Sequence, residues 1–223
     1  MQSYLYVRIL SILAIASVVL TAPLPCPFAA EPEHVPCCGK RTEAGDRLAA
    51  ALDGMNVESH WLVHEHINWE TGDPDRGADY EGPGTHSHCS AFAAAAAKKL
   101  GVYLLRPPEH GQVLLANAQA EWLESAAGRR SGWRRVSSMR EAQRLANEGN
   151  LVLVVFQSAD KHVPGHIAIV RPSEKSLHAL EENGPEIIQA GNQNYTKTNV
   201  RIGFQHHPGA WPGGVLYYAH ALP

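Results

Sequence analysis

Apolar and polar positions divide this chain into a helical first half and a strand-rich second half. Residues 44–52 repeat at helical spacing and stop near Gly54. Cys89-Ser90-Ala91-Phe92, five alanines, Lys98, Lys99, Leu100 and Gly101 follow. This run predicts a helix. Alanine is the strongest helix former, Ser87 can cap the start, the lysines suit the negative end, and glycine suits the position beyond the last turn. On that helix Cys89, Phe92, Ala93, Ala96 and Leu100 share one face. Further helices are predicted over 112–127, ended by Gly128, and from Ser137 or Ser138 through Asn147, with Gly149 as the stop. Leu151 to Phe156 is an unbroken apolar run, the signature of a strand buried on both faces. Strands are predicted at 166–170, 186–191, 199–204 and 215–220, with a short helix over 174–183. His60 to Trp69 reads as a helix or part of a cleft, and Thr71 to Gly84 as a loop. Helices early and strands late indicate an α+β domain.

The amino-terminal pattern is of another kind. Arg8 precedes an apolar stretch from Ile9 to Ala22, followed by prolines at 23, 25 and 27 and then Phe28-Ala29-Ala30. The stretch is short for a membrane span and reads as an export leader over 1–30, cleaved after Ala30 or, second, after Ala22. The single arginine leaves an uncleaved anchor as the alternative. Pro25 stands where a lipobox carries a small residue, so Cys26 is not read as a lipidation site. Residues 31–79 read as an irregular and helical extension and 80–223 as the main domain. The expected location is periplasmic or secreted. No later segment is apolar enough to span a bilayer, so no stable membrane insertion is expected after processing. The formal charge of −3 and ordinary composition give no sign of a nucleic-acid partner. Export permits disulfides, but Cys37 and Cys38 are adjacent, and no disulfide framework is expected from them.

The candidate chemistry lies in the second half. Cys89 falls in the first turn of its helix, where partial positive charge and free N–H groups stabilise a thiolate and can hold an oxyanion. The plain alternative is a small buried cysteine. Downstream, Val163-Pro164-Gly165 turns the chain into His166-Ile167-Ala168-Ile169-Val170. There His166, Ala168 and Val170 share one face, and Ile167 and Ile169 the other. A cysteine at a helix start and a distant histidine at a strand start are the parts of a thiol–imidazole pair. After the next strand comes Asn192-Gln193-Asn194-Tyr195, whose amides can accept an imidazole N–H and fix its tautomer. Gln189, on the strand itself, is an alternative orienter.

These three blocks, in this order, resemble the CHAP branch of the papain-like superfamily of bacterial cell-wall hydrolases, the cysteine- and histidine-dependent amidohydrolases/peptidases. The resemblance covers residues 80–220 and rests on Cys89-Ser90-Ala91-Phe92, Gly165 to Val170, and Asn192 to Tyr195. It implies a papain-like fold with amino-terminal helices packed on an antiparallel sheet of about five strands. It also implies amide hydrolysis through a thioester. Cys89 would be the nucleophile, the Cys89 backbone N–H the oxyanion donor, and His166 the base. Asn192 falls on the family's acidic position and Asn194 on its amide position, so an amide stands where the family often has a carboxylate. Gln189 ranks second because the family pattern places the assisting residue after the glycine. No cofactor and no metal is implied. For an exported bacterial enzyme of this type the substrate is peptidoglycan or another peptide.

Two rivals accompany this reading. His60, His64 and His66, with His86, His88 and Cys89, offer a zinc or copper site. A non-catalytic wall-binding module is the second. It would use Trp61, Trp69, Trp122, Trp133 or Trp211 as a sugar surface, or Arg129, Arg130, Arg134 and Arg135 against anionic polymers.

Overall fold

A computed structural model describes residues 36–223, so the leader reading, its cleavage sites and Cys26 lie outside the described residues. The described chain is an α+β unit. Its elements run α1 (Glu43–Asp53), α2 (Cys89–Lys99), α3 (Leu115–Glu124), α4 (Ala126–Arg130), β1 (Arg134–Val136), α5 (Met139–Asn147), β2 (Leu151–Phe156), β3 (His166–Val170), α6 (Leu177–Asn183), β4 (Glu186–Gln189), β5 (Tyr195–Asn199), α7 (Val200–Gly203) and β6 (Leu216–His220). The six strands form one antiparallel sheet in the order β1-β6-β2-β3-β4-β5. β2 lies inside it, buried from Leu151 to Val155, as its unbroken apolar run requires.

Alternation along the strands builds two cores. Leu151, Leu153, Val155, Ile167 and Ile169 face α2. Val152, Val154, Ala168 and Val170 face the other way, toward Ala142, Leu145 and Ala146 of α5 and Phe204 after α7. The register pairs Phe156 with His166, so His166 opens β3 at one end of the sheet.

Helix α2 differs in two respects from its expected form. It is buried all round from Cys89 to Ala97 rather than along one face. Alanine permits this, because it lets neighbouring elements approach closely and loses no side-chain entropy on burial. The residue before the helix is His88, not Ser87, and no side chain caps the start. Gly101, at φ +74°, ends it as expected.

Several boundaries are also corrected. The helix expected over 112–127 is two helices, because the Ser125 hydroxyl accepts from Ala127 and Gly128 N–H and starts α4 anew. Gly128 lies inside α4, where an added Cβ would stand 2.4 Å from the Trp122 carbonyl oxygen. Residues 200–203 are helical rather than extended, capped by Asn199, whose side chain accepts from Ile202 N–H. The strand in this region is β5, which precedes that cap. The sheet has six strands rather than about five, because the short arginine-bearing β1 pairs with β6. His60 to Trp69 forms turns and no helix, with Ile67 bridged to Pro74. Cys37 and Cys38, from which no disulfide framework is expected, are joined to each other. Leu48, Leu52, Trp61 and Ile67 belong to the main core, so no packing boundary falls at residue 79.

Polar ties hold α1 and α5 to the sheet. Arg171, with its side chain 4% exposed, donates through Nε and Nη2 to Asp53 at 3.0 and 2.5 Å and pairs with Glu186 at 3.2 Å. Buried Asn147 accepts from Ser173 N–H and Gln143 and donates to the Gly39 and Ser173 carbonyls. Among the described residues no helix is long and apolar enough to cross a membrane.

Candidate active site

Cys89 is the first residue of α2, and α2 packs on β3. The thiol is free, and the residue is buried. Burial pushes its pKa up, against the pull of the Ile167 backbone N–H and then of the Ser90 and Cys89 N–H groups. The activated thiolate expected at a helix start is therefore not the resting form: desolvation outweighs the helix terminus, and the thiol stays protonated. With no side chain capping the helix start, the first-turn N–H groups remain available to a developing oxyanion.

His166 is equally buried. Its Nε2 lies 3.0 Å from Gln189 Oε1. The Gln189 Nε2 donates to the Gln193 carbonyl at 3.2 Å, which turns the carboxamide oxygen toward the ring. His166 Nε2 is therefore the protonated nitrogen, and Nδ1 carries the basic lone pair. Burial pulls the imidazole down to about 4, and the Gln189 bond opposes this only in part, because a carboxamide brings no charge. Two glycines make room for the pair. A Cβ on Gly203 would stand 2.4 Å from Gln189 Oε1, and one on Gly191 3.5 Å from His166 Cε1. His207 stacks on the imidazole at 5.0 Å with an interplanar angle of 10°, and Phe204 meets it edge-on at 4.6 Å. Sequence reasoning gave no sign of His207 or Phe204, because both come from the segment read as a strand and its sequel.

The side chain bonded to the His166 ring is that of Gln189, not Asn192. Asn192 is exposed, and its side chain makes no hydrogen bond to His166. Asn194 serves as an anchor: its Oδ1 accepts from Gly191 N–H, and its Nδ2 donates to the Val57 and His60 carbonyls. The physical reason is alternation. Gln189 lies on the same sheet face as Ile187 and as Ala168 and Val170, the face His166 shares, whereas Asn192 has already left the strand.

The loop before β3 is held from α3. Asn117 Oδ1 accepts from Gly165 N–H at 2.9 Å, and its Nδ2 donates to the Val163 carbonyl at 3.0 Å. A Cβ on Gly165 would stand 2.3 Å from the Phe156 carbonyl oxygen and 2.6 Å from Asn117 Oδ1.

The two candidate catalytic residues meet the sheet differently: Cys89 packs with Ile167 and Ile169 on the α2 side, whereas His166 shares the face of Ala168 and Val170 and packs on Phe204. The Ile167 backbone lies near enough to Cys89 to draw its pKa down, and Ile167 follows His166 directly. No hydrogen bond joins Cys89 and His166. Cys89 lines a cavity of about 530 Å³, and His166 lines one of about 250 Å³. His86, Ser87, Pro164 and Gly165 line both, so the cavities adjoin.

Several residues of the rival readings have other partners. His60 pairs with Asp73, His66 with Asp75, and His88 Nε2 with the Glu65 carbonyl. Among the described residues no group of three or more His, Cys, Asp or Glu converges as metal ligands. Trp61 and Trp133 are core residues. Arg134 and Arg135 lie in β1, Arg135 paired with Glu124. No family model matches the chain, and no curated protein sequence matches it.

Proposed function

We propose that this chain is a papain-like cysteine hydrolase of amide bonds, with Cys89 as nucleophile, His166 as base and Gln189 as orienter. The observation that carries the reading is the His166–Gln189 bond. It keeps the proton on Nε2 and leaves Nδ1 as a base, on the residue before Ile167, whose backbone N–H draws the Cys89 pKa down. A thiol–imidazole bond that is open without substrate commonly tightens when substrate binds.

The two pKa directions favour a neutral resting pair. As the thiol sulfur bonds the carbonyl carbon, its proton passes to His166 Nδ1. The first-turn N–H groups of α2 hold the oxyanion. Collapse breaks the C–N bond, the imidazolium returns its proton to the leaving nitrogen, and water then hydrolyses the thioester to a carboxylic acid. The leader pattern and the CHAP resemblance together make peptidoglycan peptides the substrate of first choice, for an exported bacterial enzyme.

The test is amine release from purified peptidoglycan and its soluble fragments. Wild type is expected to release amines, and Cys89→Ala and His166→Ala to abolish release while keeping the wild-type circular dichroism. Undiminished release by Cys89→Ala would refute the reading.

A further inference from the structure

The adjoining cavities differ in chemistry, and their positions assign them different parts of a substrate. In the proposed hydrolysis the acyl carbon bonds Cys89 and the leaving nitrogen takes its proton from His166. The acyl group must therefore extend into the Cys89 cavity and the leaving group into the His166 cavity. Apolar side chains such as Val113, Leu114 and Leu115 form much of the first, which also carries His86, His88 and His162 but has no lysine, arginine or carboxylate in its lining. At about 530 Å³ it lies within the usual range for small-molecule sites, roughly 300–1,000 Å³. Leu114 holds a left-handed backbone there, at φ +54°. Such a conformation is unfavourable for a residue with a Cβ, and it recurs where a wall is shaped for a ligand. The second cavity is lined by the amides Gln189, Asn192 and Gln193, the Tyr195 hydroxyl, and His206 and His207. It also lacks formal charge. Its groups donate and accept hydrogen bonds alike.

From this contrast we infer that the substrate joins an aliphatic acyl group, on the Cys89 side, to a polar, uncharged amine bearing amide or hydroxyl groups, on the His166 side. The inference rests on the proposed hydrolysis and narrows it to bonds whose carbonyl belongs to an apolar residue or chain. Each buried methylene contributes about 0.8 kcal/mol, so three or four of them separate an aliphatic from a short polar acyl group by well over tenfold. A charged acyl group entering a cavity without a counter-charge is penalised further.

Two measurements decide the point. The first compares kcat/KM for a matched set of acyl-glutamine amides carrying N-acetyl-leucyl, hexanoyl, succinyl or N-acetyl-lysyl groups. The aliphatic members are expected to be cleaved at least tenfold faster. Val113→Asp, at a 57% exposed wall position, should erase that preference. The second needs no turnover. Cys89 alkylation by N-cyclohexylmaleimide and by a carboxylate-bearing maleimide is followed by peptide mass spectrometry, each rate divided by that with free glutathione. The cyclohexyl reagent is expected to react at least tenfold faster with wild type and to lose that advantage in Val113→Asp. Equal or reversed alkylation rates, or equal cleavage across the acyl set, would overturn the inference. Selective alkylation with no cleavage of any amide would leave the apolar site standing and count against the hydrolase reading instead.

Discussion

Gln189 determines what His166 can do. Its carboxamide fixes the ring tautomer and contributes no charge, so burial dominates and the imidazole remains neutral to about pH 4. Gln189→Ala is expected to lower kcat by roughly ten- to a hundredfold, the effect of one lost orienting hydrogen bond of about 1–3 kcal/mol. Asn192→Ala should stay near wild type, since Asn192 is exposed and off the ring. Steady-state kinetics of both variants separate the two assignments. A pH profile adds an independent readout. The acid limb of kcat/KM is expected near pH 4 in wild type. In Gln189→Glu it should move upward, because a carboxylate stabilises the imidazolium. An unmoved limb in that variant would remove His166 from the titrating step. The helix start at Cys89 and the strand start at His166 are legible in the sequence because such signals are local. Gln189 ranks second in the sequence because the family pattern places the assisting residue after the glycine, whereas strand alternation puts Gln189 on the His166 face.

At the level of elements, the site depends on close approaches that glycine allows. Gly165 meets the Phe156 carbonyl and Asn117, which hold the turn into β3. Gly203 opens the space that the Gln189 carboxamide fills. Gly203→Ala is expected to displace that carboxamide and move the His166 imidazole resonance and its titration in NMR spectra. An unchanged titration would contradict the packing. Asn117→Ala leaves the buried Gly165 N–H without its acceptor and should cost about 1–3 kcal/mol of stability in urea unfolding. Helices α2 and α5 and strands β2 and β3 were readable because alanine content, a Ser138 cap and apolar runs are strong local signals. The 200–203 segment was misread because its β-branched residues suggest a strand, whereas the Asn199 cap and packing beside β4 make it a helical turn. Strand β1 escaped notice because its three residues carry two arginines, and only pairing with β6 makes them extended.

For the whole molecule, two kinds of buried polar group set the conditions of stability. His166 binds a proton more weakly folded, near 4, than unfolded, near 6.5. Its contribution is therefore complete above about pH 6.5 and is lost as pH falls from there toward 4, where the unfolded chain takes up the proton first. Urea unfolding midpoints should fall across that window in wild type and fall less steeply in His166→Gln. Arg171 ties the end of α1 to β4 through Asp53 and Glu186. Arg171→Ala, which removes these charged hydrogen bonds but leaves carboxylates that water can reach, should destabilise the fold by about 1–3 kcal/mol, measured in the same way.

The central claim is that Cys89 forms a thioester with the acyl half of an amide substrate while His166, held by Gln189, moves the proton. Acid-quenched mass spectrometry during turnover of an aliphatic acyl-glutamine amide tests it directly. An acyl adduct is expected on the Cys89 peptide in wild type, at reduced level in Gln189→Ala and absent in His166→Ala. Turnover with no adduct on Cys89 and undiminished in Cys89→Ala would contradict the account.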